Sequence, residues 1–267
     1  MKYSAYLIIL SALATMQLIS SCSKPAGPRE ETDPAFLLQL EAPIDKWDEA
    51  VPLGNGLNGG LLWGNGNEIR LSLDRGDLWD LRAHPGFTAP GFSYETVRHL
   101  ARAGLADSLN KHYARANDYP TKLPGTRMVV TLPDGSEVES FNLDMKRGMG
   151  MVGLGNGRIE CFFSATEPVA LMKIPGTFAE LQLIANPAVT NVGNEPARIE
   201  SDDSGIWLVQ VAALDFRYVF CVQTRQFKDY ALLAISTATN NDTDKPLEFA
   251  RSQAQRALKT GYKKLLQ

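Results

Sequence analysis

Residues 47–80 read WDEAVPLGNGLNGGLLWGNGNEIRLSLDRGDLWD, and the way this stretch folds decides how the rest of the chain is read. Gly54, Gly56 and Gly59 spell G-x-G-x-x-G. Asp74 follows at about 20 residues, the spacing of a dinucleotide-binding turn and its ribose-binding acid. That motif needs a helix directly after the glycines, with its N-terminus facing the pyrophosphate. Gly60, Gly64 and Gly66 follow instead, and glycine is a poor helix former at each position. Next comes Glu68-Ile69-Arg70-Leu71-Ser72-Leu73, a polar/apolar alternation that marks a half-buried strand. The glycines therefore lie between strands, and no cofactor is expected. The stretch reads as a glycine-rich turn, a strand over Leu61–Trp63, a turn at Gly64-Asn65-Gly66-Asn67 and a second strand. Asn-Gly suits such a turn because both residues accept positive φ.

Working outward, the 267 residues are 44% hydrophobic and 21% charged, enough for one large domain with its own core. A net charge of −3 supplies no basic face for nucleic acid. The 22 Gly and 15 Pro separate short apolar runs, a composition rich in turns that points to a mainly β domain.

Residues 1–22 read as an export signal: Lys2 gives the positive start, and Tyr6–Leu18 is an apolar core too short to span a bilayer. The segment closes on Ile19-Ser20-Ser21-Cys22, which resembles a bacterial lipobox. The alternative is an ordinary signal peptide with an incidental cysteine; the position of Cys22 right after small residues favours lipidation. Acyl chains contribute about 0.8 kcal/mol per buried CH₂, so several on Cys22 would anchor the protein. Ser23 rather than Asp follows, which fits sorting to the outer membrane, on its periplasmic or cell-surface side. Residues 23–35 are polar and Pro-rich, a flexible tether. The β-sandwich is expected over residues 36–245.

His84–Gly91 reads as a loop. Residues 95–113 carry Val97, Leu100, Ala101, Gly104, Leu105 and Leu109 at helical spacing, with Ser93 as a cap. His84, His99 and His112 are the only histidines and lack ligand spacing, so they read as solvated surface residues and no metal is expected. Strands follow: Met128–Leu132 and Glu137–Met145 about Pro133-Asp134-Gly135-Ser136, with Phe141, Leu143 and Met145 on one buried face. Met149–Leu154 and Arg158–Phe163 flank Gly155-Asn156-Gly157, placing Ile159, Cys161 and Phe163 on one side. Further strands are expected at Val169–Ile174, Ala179–Ile184, Ile206–Leu214, Phe216–Val222 and Tyr230–Ser236. Short strands at this spacing suggest a large antiparallel sandwich. Cys161 and Cys221 are able to pair in an exported protein, but their apolar strands favour buried free thiols. Residues 246–267 read as a helix: Asp244 offers an N-cap, Pro246 suits the first turn, and Leu247, Ala250, Ala254, Ala257, Leu258 and Leu265 line one face.

Trp47, Glu49-Ala50, Pro52-Leu53-Gly54-Asn55-Gly56, Ile69-Arg70-Leu71, Asp77 and Leu78-Trp79 together resemble the opening of the N-terminal domain of glycoside hydrolase family 95, the α-L-fucosidase-like enzymes. Where that family reads N-E-D-T-L-W, this chain has Leu73-Asp74-Arg75-Gly76-Asp77-Leu78-Trp79. Arg251 to Gln267 resembles the family's linker helix, an alanine-rich run ending in G-Y-x-x-L-x. The resemblance implies a large antiparallel β-supersandwich with one internal helix and a C-terminal linker helix, leading to an (α/α)₆ catalytic barrel that this chain does not include. It implies glycans as partners, with both carboxyl groups of glycoside hydrolysis on the barrel, so no residue here inherits a catalytic role. Asp74, Asp77 and Asp80, spaced by three, read as strand-end and turn acids rather than a catalytic or calcium cluster. Trp47 and Trp79 read first as core residues. Stacking on a sugar ring is the alternative, and Trp47, Asp77 and Trp79 are the sugar-facing candidates. The competing expectation is a surface lipoprotein that binds glycans without cutting them, or one that is purely structural.

Overall fold

The computed structural model describes residues 33–87, 91–113 and 119–266. The export signal, Cys22 and residues 23–32 of the tether lie outside the described residues. After a 3-10 turn at Pro34–Phe36, the chain forms β1 (Leu37–Glu41), a 3-10 turn at Trp47–Glu49, β2 (Val51–Gly54), β3 (Asn58–Asn65), β4 (Glu68–Arg75) and β5 (Trp79–Asp80). Two helices follow, α1 (Tyr94–Arg102) and α2 (Ala106–Tyr113), then β6 (Thr121–Lys122) and β7 (Thr126–Thr131). The next run is β8 (Val138–Asp144), β9 (Met149–Leu154), β10 (Gly157–Phe163), β11 (Val169–Pro175) and β12 (Glu180–Ala185). Helix α3 (Pro187–Asn191) leads to β13 (Arg198–Asp202), β14 (Gly205–Val211), β15 (Arg217–Gln226) and β16 (Tyr230–Thr239). Helices α4 (Pro246–Thr260) and α5 (Tyr262–Leu265) end the described chain.

The fold is mainly β, built on large antiparallel sheets. One sheet has nine strands in the order β1-β8-β9-β10-β11-β16-β15-β14-β13, a second has five, β12-β7-β4-β3-β2, and β5 and β6 pair separately. Between the first two lies the main core, with Leu62, Ile69, Leu71, Met128 and Val130 of the smaller sheet against Phe141, Val152, Ile159, Phe220 and Leu233 of the larger. The alternation in β4 is realised as expected: Ile69, Leu71 and Leu73 point into this core, and Glu68, Arg70 and Ser72 point outward.

Strand β3 is longer than the expected Leu61–Trp63, so the turn contracts to Gly66-Asn67 between paired Asn65 and Glu68. Gly66 sits at φ 57, where glycine carries no steric cost. Gly60 is absorbed into the strand for a packing reason. A Cβ there would lie 2.9 Å from the Leu71 side chain and 3.3 Å from the Phe163 ring, so only glycine lets the two sheets close at this point.

The nine-stranded sheet is covered on both faces. Its outer face carries Phe162, Val169, Leu171, Leu232 and Ala234, and Ala254, Ala257, Leu258 and Leu265 pack onto them. A neighbouring cluster joins Trp207, Val219, Cys221 and Ala238 to Ala250. The apolar stripe expected on the terminal helix thus docks on the chain's own sandwich. The helix is also broken, since Gly261 at φ 86 separates α4 from α5. Its N-cap is Lys245 without a side-chain bond, not Asp244.

The single expected internal helix is two, broken at Ala103-Gly104-Leu105, and α3 is additional. Ser93 does cap α1, accepting from the Thr96 N–H at 3.1 Å. The apolar face expected on that helix buries nothing, as α1 has no buried residue. Met145 falls just past the end of β8 and is exposed, whereas Phe141 on the same expected face is buried. His84 is 3% exposed, not solvated, and its Nδ1 accepts from the Gly86 N–H at 3.0 Å. His99 is exposed; the side chain of His112 lies outside the described residues.

Cys161 and Cys221 are buried free thiols. Three strand spacings, roughly 14 Å, separate β10 from β15 across β11 and β16. A disulfide requires Cα atoms within about 7 Å. Burial pushes both thiols up to about 12.

Candidate carbohydrate-facing groove

The three acids at the end of the opening stretch are each held by a cation. Asp74 accepts from Lys122 Nζ at 2.7 Å. Asp77 takes a two-pronged bond from Arg75, Nε to Oδ1 at 2.7 Å and an Nη to Oδ2 at 2.9 Å. Asp80 takes the same kind of fork from Arg82, which also lies over the Tyr119 ring at 3.9 Å and donates to the Val192 carbonyl. Burial opposes ionisation of Asp80, but the Arg82 bonds outweigh it and hold the carboxyl below its ordinary range. These acids do not converge: among the described residues no group of three or more His, Cys, Asp or Glu is disposed to hold a metal ion.

Arg75 is the centre of a second arrangement. It is 5% exposed and also bonds Asp242, which lies beyond the end of β16. Burial works against the guanidinium's charge, yet the bonds to Asp77 and Asp242 raise its pKa on balance. Asp242 goes the other way: desolvation is outweighed by Arg75 and the Thr239 N–H, and its carboxyl is lowered. Nearby, Asn58 accepts from the Thr237 hydroxyl at 2.5 Å, and Asn55 donates to the Ser164 carbonyl at 2.9 Å. The Gly54-Asn55-Gly56 loop joins β2 to β3 as strand, turn and strand, pinned to the large sheet by these bonds. The helix that a phosphate-binding turn requires is replaced by β3.

The outer face of the five-stranded sheet carries a groove of about 660 Å³. Its floor is Gly59 and Leu61 of β3 and Ser72 and Asp74 of β4; Arg127 of β7 and Ile184 of β12 continue it across the sheet. Pro52 and Trp47 form one rim, and Pro124, Asn186 and Pro187 the other. Trp47 is 58% exposed, because its 3-10 turn precedes β2 on the outside of the sheet. Trp79 is 45% exposed and donates its indole N–H to the Gly76 carbonyl. Neither tryptophan belongs to the core, contrary to the first reading of the sequence. Within residues 47–80 the buried tryptophan is Trp63, at 4%: its indole donates to the Ser72 hydroxyl at 3.0 Å, and the guanidiniums of Arg70 and Arg127 each lie over its ring at 4.9 Å.

The candidates are therefore brought together only in part. Trp47 and Asp74 line the groove. Trp79 does not line the groove; its cross-strand partner in β5–β6, Lys122, bonds Asp74. Asp77 is committed to Arg75 and does not line the groove. Sequence reasoning missed Ser72, Arg127 and Asn186, which meet here only because β12, β7, β4 and β3 are neighbours. These residues can hydrogen-bond a ligand beside an aromatic face. The Ser72 hydroxyl keeps its proton to donate, and Asn186 uses its carbonyl oxygen on the Ala188 N–H while its amide nitrogen makes no bond among the described residues.

No protein-family model matches the chain, and no curated protein matches it at a significant level.

Proposed function

We propose that this chain is the non-catalytic β-sandwich portion of an exported glycoside hydrolase of the family-95, α-L-fucosidase-like kind. In this reading Cys22 carries lipid and tethers the sandwich at the bacterial outer membrane, and the groove meets glycan. The observation that carries the reading is the origin of the groove's walls: Trp47, Pro52, Gly59, Leu61, Ser72 and Asp74 all belong to the stretch that carries the family resemblance. A solvent-facing indole beside hydroxyl, amide and carboxylate groups is suited to a sugar, which presents an apolar ring face and a rim of hydroxyls. The ion pairs of Asp74, Asp77 and Asp80 support placing the hydrolytic acid and base outside this sandwich. A glycan-binding lipoprotein without a catalytic partner would use the same groove.

A second reading, a structural domain that packs against a separate barrel, is favoured by one feature. Phe92, Tyr94 and Leu105, at and between the ends of α1 and α2, are exposed, and α1 buries no residue of its own.

Calorimetric titration of residues 23–267 with neutral oligosaccharides, beside a chromogenic aryl α-L-fucoside assay, tests the proposal. The expected result is binding that weakens about five- to tenfold in Trp47→Ala, given roughly 1–1.5 kcal/mol for loss of an aromatic stacking partner, with no hydrolysis. Binding indifferent to Trp47 would exclude the groove as the glycan-binding surface. Turnover abolished by Asp74→Asn would place catalysis in the sandwich.

A further inference from the structure

The charge inside the groove is unbalanced, and that imbalance bears on which sugar it takes. Two cations and one acid line or border it: Asp74 is neutralised by Lys122 at 2.7 Å, which leaves Arg127. The Arg127 guanidinium makes no ion pair or hydrogen bond among the described residues, and its Nε is buried from solvent without an acceptor. Its neighbour Arg70 differs, being paired with Glu68. Arginine at a partly buried position ordinarily finds a carboxylate or carbonyl, because a buried donor left unmade costs stability. Here the side chain is held in place by the Trp63 ring instead, at 4.9 Å, so its planar fork is fixed in orientation with its hydrogen-bonding capacity unspent. Trp47 stands at the rim of the same groove, and Ser72, directly opposite Arg127 in the β4–β7 register, offers a hydroxyl beside it.

We propose that the groove recognises an acidic sugar, a uronate residue whose carboxylate is received by Arg127 while its ring lies against Trp47. This rests on the reading of the groove as a glycan surface and specifies the class of glycan. The two Nη groups of a guanidinium match a carboxylate end-on with two parallel N–H···O bonds, a geometry that a hydroxyl or an amide of a neutral sugar does not reproduce, and the buried Nε takes no part. Ser72 donates to a ring or hydroxyl oxygen of the same residue. The acid of Asp74 does not repel the ligand, since Lys122 covers it.

The test is a titration of the full chain, detergent-solubilised, with two forms of one probe: de-esterified oligogalacturonate and the same oligomer fully methyl-esterified, which differ in charge and not in ring. The acid form is expected to bind roughly ten- to hundredfold more tightly, the range for a charge-assisted hydrogen-bonded pair. Arg127→Gln should erase that preference, so that the acid and ester forms bind alike. Arg127→Lys, which keeps charge but not the fork, should recover only part of it, and near-ultraviolet circular dichroism establishes that each variant is folded. Because the two probe forms are compared on the unmodified protein, the result stands even where a variant fails to fold. Equal binding of both forms, with Trp47→Ala weakening each, would overturn the uronate assignment and leave the glycan groove standing. No binding of either form or of any neutral oligosaccharide would overturn both. A sulfated oligosaccharide that binds as tightly as the uronate would show that charge alone is read, and would overturn the carboxylate assignment.

Discussion

Arg75 and Asp242, 167 residues apart, are bonded through two nitrogens and two oxygens, at 2.9 Å and 2.7 Å. The pair ties the last residue of β4 in the small sheet to the turn after β16 in the large one. Arg75 is nearly inaccessible, so removing one partner leaves a buried charge short of its acceptors. Asp242→Ala should cost about 3 kcal/mol, the low end for breaking a buried pair because Asp77 still holds the guanidinium. Chemical denaturation of the two chains measures it. Asp77→Ala is expected to cost less, since Asp77 is the more exposed partner.

The same carboxylates set an acid limit. Asp80 and Asp242 both have folded-state pKa values below the ordinary 3.8. A lowered folded value means the unfolded chain takes up protons first, so stability from these pairs is fully present above about pH 4 and is lost as pH falls through the folded values. The denaturation midpoint should therefore fall steeply below about pH 4. Asp80→Asn and Asp242→Asn should each flatten that slope while lowering stability at pH 7. A slope unchanged in both variants would mean other acids dominate.

Hydrogen exchange should separate the two helices that the sequence marks with an apolar face. The terminal helix α4 buries Ala250, Ala254, Ala257 and Leu258 against the large sheet, and its amides should exchange with those of β15 and β16. Helix α1, with a single side-chain cap and no buried residue, should exchange far sooner. Leu258→Ala should cost about 2–3 kcal/mol, as for other buried leucines.

Much of the sandwich was legible in residues 47–80 because β4 buries one face only and so alternates, and because its turn falls inside the Gly64-Asn65-Gly66-Asn67 run, at Gly66-Asn67. Strand β13 was not, since every residue of Arg198–Asp202 is exposed at the sheet edge and no apolar period marks it. Strand β16 was located but its alternation was invisible: nine of its ten residues are buried, with one sheet face against the core and the other under α4. The exposure of Trp47 and Trp79 had no sequence signal, as a tryptophan in a turn reads like one in a core. Arg127 was hidden for a different reason. Its lack of a partner depends on which strands flank β7, and that is set by pairing across more than fifty positions, as Arg127 opposite Ser72 and Ile184 opposite Arg127 illustrate.

Gly56 lies at φ 96, in the region that disfavours residues with a Cβ. No atom stands within 4 Å of a Cβ built there, so the penalty of Gly56→Val is conformational and not a clash. About 1–2 kcal/mol is expected, read as a shift in the denaturation midpoint. Titration with NAD or ATP should give no heat in either chain, and micromolar binding would contradict the strand–turn–strand assignment.

Whether sugar touches the groove tests the proposed function most directly. Backbone and indole NMR signals, followed as an oligosaccharide is added to the isotope-labelled chain, report this residue by residue. Shifts are expected to begin at the Trp47 indole and extend to Ser72, Asp74, Arg127 and Asn186, with Trp207 on the far face of the large sheet unmoved. Shifts confined to other surfaces, or none at saturating sugar, would contradict the proposed function.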